Sequence, residues 1–176
     1  MESINPNGTK HHHASGLPEG SWKGMKKYLE QDMLCEKLWG RVTYQCDVYP
    51  RFGSSGSCFT VCMDGKPVKK FGFLYAMARL RKDAAYWTPK ALWDVSLTER
   101  DEYSDDEFAQ ALEAYRNQPI AESLASENPI QRMFAIVDRR VGKRTLQKLA
   151  ASVQEQPEWL RVLYLTRMEA EGVAVK

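Results

Sequence analysis

The period of the apolar residues drops from 3.6 to two near Val42 and returns to 3.6 after the strands, and that pattern restricts the fold to one in which strands precede most of the helices. Val42, Tyr44, Cys46 and Val48 alternate with Arg41, Thr43, Gln45 and Asp47, the pattern of a strand with one wet face. A second alternation sets Phe59, Val61 and Met63 against Cys58, Thr60 and Cys62. The turn-rich run from Pro50 to Ser55 separates the two. Asp64-Gly65 is a two-residue hairpin signal. Pairing across it places Met63 opposite Lys66 and Val61 opposite Val68, with Pro67 on a short, lysine-bearing edge strand that resists further pairing. Ahead of the strands, Ser21 can cap a helix with Trp22, Met25, Leu29 and Met33 on one face and Gly40 as its stop.

From Phe73 onward the spacing is helical. Phe73, Leu74, Met77 and Leu80 form one stripe, and Thr88-Pro89 opens a short helix carrying Leu92 and Trp93. Ser104 with Glu107 matches a capping box, placing Phe108, Ala111, Leu112 and Tyr115 inward until Asn117 and Pro119 end the helix. Ile120 to Ser126 reads as another short helix. Asn128 and Pro129 start a further one, whose stripe of Ile130, Met133, Phe134, Val137 and Val141 predicts a helix running to Gly142. Leu146, Leu149, Ala150 and Val153 carry the next stripe. Pro157 opens the last, with Leu160, Leu163, Tyr164 and Met168 inward and Gly172 near its end. The expected class is α+β: an N-terminal helix on a small antiparallel β-sheet of about three strands, followed by a helical C-terminal half. A chain of this size buries about 70% of its unfolded surface, so a real core is expected. Residues 1–20 hold only Met1, Ile4, Ala14 and Leu17 as apolar anchors and read as a disordered extension, which leaves 21–176 as a single domain.

Several chemistries drop out on composition. The three histidines are His11, His12 and His13, all in the extension, where the triplet reads as a weak metal binder, part of a tag or, most simply, incidental. The folded body therefore has no imidazole for Ser-His-Asp, Cys-His or His-ligated zinc sites. No C-x-x-C pair joins Cys35, Cys46, Cys58 and Cys62. Cys58 and Cys62 would lie about 13 Å apart along one strand, and Cys46 belongs to the opposite face. Reduced structural thiols and no metal or other cofactor follow. Phe71 to Ala78, the most apolar run, is far shorter than a membrane span, and no signal peptide precedes it. A cytoplasmic location is the default.

Charge is segregated although the net is only +2. Lys66–Lys90 carries a net of +6, Glu99–Glu127 a net of −7 and Arg132–Lys148 a net of +5. In the last run Arg139, Arg140, Lys143, Arg144 and Lys148 surround the single acid Asp138, and these five cations are the candidate anion or partner surface. Arg139 and Arg140 are expected in the last turn of a helix, where they oppose its negative pole. Lys143 and Arg144 are expected at the positive pole of the next helix, so either the acidic run folds over them or an external anion does. Gly142-Lys143 fails the phosphate-loop pattern, because Val137 stands at the earlier glycine position and Arg144 follows the lysine. The two helices about Gly142 fit a DNA-reading helical pair or a plain hairpin, with Arg144, Gln147 and Lys148 as the few base-reading side chains. Asp47, Asp64 and Asp94 are acids that nothing pairs for acid-base catalysis.

The segments LCEKLWGRVTY and DRRVGKRTL, with WKGMKKYLEQDM, VCMDGKPV and EWLRVLYLTRMEAEG, resemble a small bacterial family of uncharacterised proteins across residues 21–172. The resemblance implies a compact bacterial or phage-type domain and carries no activity with it. The resulting expectation is a non-enzymatic cytoplasmic interaction or regulatory protein, with antagonism of another protein as one form of that role. The alternative is a nucleic-acid-binding module using the basic helical hairpin 128–153.

Overall fold

The computed structural model describes residues 22–51, 54–72 and 102–175. The first helix, α1, spans Trp22–Lys27 and runs into a π-turn at Tyr28–Asp32, closed by Met33 N donating to Tyr28 O at 3.0 Å. Three strands follow, β1 (Val42–Arg51), β2 (Ser54–Met63) and β3 (Lys66–Gly72), as an antiparallel sheet in the order β1-β2-β3. The helical half comprises α2 (Asp105–Asn117), α3 (Ile120–Ala125), α4 (Pro129–Ile136), α5 (Lys143–Leu149) and α6 (Glu158–Glu171). The α+β expectation is met. The expected helices between Phe73 and Trp93, and the N-terminal extension, lie outside the described residues.

Asp64 and Gly65, at φ 50° and 76°, make the tight turn that joins β2 to β3, and Met63 faces Lys66 as expected. Beyond it the expected register is corrected. Cys62 pairs with Pro67 and Val61 with Lys69, so Val68 is the extra residue of a bulge. Pro67 has no N–H for a ladder, and a bulge on an edge strand accommodates it while twisting the edge away. The opposite edge is covered by α1 and its π-turn. Lys26 Nζ donates to Tyr44 O at 2.9 Å and Tyr44 N donates to Glu30 Oε1 at 2.6 Å, so this point of β1 offers no open backbone groups.

Tyr44, Phe59 and Phe71 on the inner sheet face meet a run of packed rings from the helices. Phe59 stacks on Phe108 at 4.3 Å, and Phe108 meets Phe71 and Phe134, each at 5.2 Å. Tyr44 and Tyr115 flank Phe134 at 6.0 and 5.4 Å. Each ring fully removed from water contributes roughly 1.5–3 kcal/mol, and such ring pairs add somewhat more. The α2 capping box forms in both directions, with Glu107 N donating to Ser104 Oγ at 3.2 Å and Ser104 N to Glu107 Oε2 at 2.8 Å. Gly172, in the left-handed region at φ 63°, ends α6 as its sequence position suggests. On β2 the second face is buried as well, through Cys58, Thr60 and Cys62, so only β1 keeps the simple wet-and-dry alternation. All four cysteines are free, and burial pushes the Cys46 thiol up to about 11.

Two helix readings are corrected. The N-terminal helix stops at Asp32 instead of running to Gly40, whose φ of 75° serves a turn before β1. The helix from Pro129 stops at Ile136, six residues short of Gly142. Both corrections have the same cause. The backbone leaves the helix at each place to pair across the chain, with Cys35 N donating to Val137 O at 2.9 Å and Arg139 N to Met33 O at 2.8 Å about a Leu34–Asp138 bridge. The apolar stripe survives in burial, since Val137 and Val141 are both inside although neither is helical.

Candidate functional site

The basic hairpin is built around Asp138, which is 1% exposed. Its Oδ1 accepts from Arg140 N at 2.7 Å and from Arg140 Nε at 3.0 Å; its Oδ2 accepts from Arg140 Nη2 at 2.7 Å and from the Tyr115 hydroxyl at 2.5 Å. Burial first, and then the Asp138 charge, pushes Tyr115 ionisation far up, so its hydroxyl stays a neutral donor. The hydrogen bond to Asp138 likewise raises the Arg140 pKa. The carboxylate is thus saturated from within the chain. Arg140 is accordingly an internal partner, lying also 5.7 Å above the Tyr115 ring.

The other candidates separate. Arg139 and Arg140 do not occupy a last helical turn, because α4 has ended before them. Lys143 reaches the end of α6, its Nζ 3.9 Å from where a Cβ on Gly172 would stand. There its charge opposes the negative pole of that helix, a structural cause that the sequence did not show. Arg139, Arg144 and Lys148 are exposed and have no ion-pair partner among the described residues. No described acid of the 102–127 run pairs with Lys143 or Arg144. The five cations therefore form no single cradle. Two serve internal contacts and three face outward. Among the described residues no group of three or more Cys, His, Asp or Glu could hold a metal, and no helix is long and apolar enough to cross a membrane.

The exposed large apolar residues lie away from the basic hairpin. Trp39, Val162 and Leu165 are 52%, 43% and 40% exposed, and they are the large hydrophobics left open among the described residues. Val162 and Leu165 are three apart on α6 and so share a face. Val162 also forms the wall of a cleft of about 740 Å³ between α6 and the β2–β3 hairpin, whose apolar lining continues through Trp159, Met63, Pro67 and Val68. Charged groups rim it. Glu102, Glu158 and Lys69, whose Nζ lies 5.6 Å over the Trp159 ring, line it together with Asp64 and Lys66 at the hairpin tip. Arg41 holds Asp64 through a two-pronged pair at 2.9 and 3.0 Å, which keeps the Asp64 carboxyl below its usual range. Trp39 lies two residues before Arg41 in the turn that precedes β1, with its indole N–H on Leu34 O at 3.3 Å.

This surface escaped the sequence reading, although a signal was present. Val162 and Leu165 fall off the Leu160, Leu163, Tyr164 and Met168 stripe, and two apolar residues on the outward side of an amphipathic helix are the mark of a second contact. The sequence model of the SF0329 protein family matches residues 21–168. No curated protein and no solved structure matches the chain.

Proposed function

The chain belongs to the SF0329 protein family, and from that premise we propose that it is a non-enzymatic, cytoplasmic interaction or regulatory protein that grips another protein through the cleft between the β2–β3 hairpin and α6. One observation carries the reading. Val162, one of the three large apolar side chains exposed among the described residues, walls the cleft, and exposed apolar surface rimmed by charge is characteristic of protein contacts. The absence of an enzymatic role is supported by the acids themselves. Asp138 is saturated and Asp64 is tied to Arg41, so neither is placed to exchange a proton with a substrate. Affinity capture from native cells tests the reading: wild type should retain a partner that Val162→Asp with Leu165→Asp loses and that Lys143→Glu with Arg144→Glu keeps. Loss through the second pair alone would transfer the function to the basic hairpin.

The second reading is nucleic-acid binding by that hairpin, favoured by Arg144 and Lys148, one helical turn apart on α5 and both open to solvent. Phosphate contacts by Arg139, Arg144 and Lys148 would give retention on DNA or RNA that weakens steeply with salt.

A further inference from the structure

We draw no further inference here: the strongest candidate, the side-chain cluster of Cys35, Arg167 and Glu171 between the turn ahead of β1 and the last helix, α6, rests on a lone cysteine whose polar neighbours already bond to it and to one another.

Discussion

Asp138 ties two helices together, because its two oxygens join the end of α2, through Tyr115, to the turn that follows α4. Hydrogen bonds to a charged group are worth about 1.5–3 kcal/mol each, and a buried hydroxyl left without its acceptor adds a desolvation cost. Arg140 needs a discount, since its side chain is 40% exposed and water can take it back. Asp138→Ala should therefore cost about 2–4 kcal/mol in a urea titration, and Arg140→Ala no more than about 1 kcal/mol. Equal losses would mean that the ion pair, not the link to Tyr115, carries the stability. At this scale the sequence was partly legible. It showed one acid among cations, but it could not show Tyr115, 23 residues earlier, as the third member.

At the scale of elements, legibility followed locality. The capping box at Ser104, the Asp64-Gly65 turn and the Gly172 stop are written in adjacent residues, and each forms as read. The endings at Asp32 and Ile136 depend on two segments about 100 residues apart finding each other, which no local period encodes. The bulge at Val68 lies between these cases. Pro67 announces an irregular edge but does not say on which residue the extra step falls. The cleft was hidden because α6 and the hairpin tip meet only in three dimensions. For α5 the prediction is asymmetric. Lys143→Glu and Arg144→Glu both place an anion at the positive pole of α5, but only Lys143→Glu also reverses a charge at the C-terminal pole of α6, so it should be roughly 0.3–1 kcal/mol less stable than Arg144→Glu. Equal shifts in a thermal melt would show that Lys143 has no special tie to that pole.

The whole molecule is closed by a clasp between its first and last described segments. Glu171 Oε2 accepts from Lys37 Nζ at 2.8 Å, its Oε1 accepts from Arg167 Nη1 at 2.7 Å and from the Cys35 thiol at 3.4 Å, and the buried Arg167 also contacts Cys35 and donates to Val141 O at 2.8 Å. The Lys37 hydrogen bond is the chief cause holding the Glu171 carboxyl below its ordinary value of 4.5. A depressed acid contributes stability that is present above the unfolded value and disappears as pH falls through the folded one. Unfolding free energy should therefore fall below about pH 4.5 more steeply in wild type than in Glu171→Gln. Parallel acid profiles for the two proteins would show that the clasp has no linkage to protons.

That clasp can close only late in synthesis. Lys37 and Glu171 are 134 residues apart, and α6 follows every other described helix. A ribosome adding about 5–20 residues per second releases the strands roughly 5–20 seconds before α6 emerges. Throughout that interval Tyr44, Phe59 and Phe71 await α2, α4 and α6, the rings and helices that cover them in the finished protein. Contacts of such long range return nothing until the intervening chain has been gathered in, which slows their formation. The inner sheet face is therefore fully covered only when the last helix has been made.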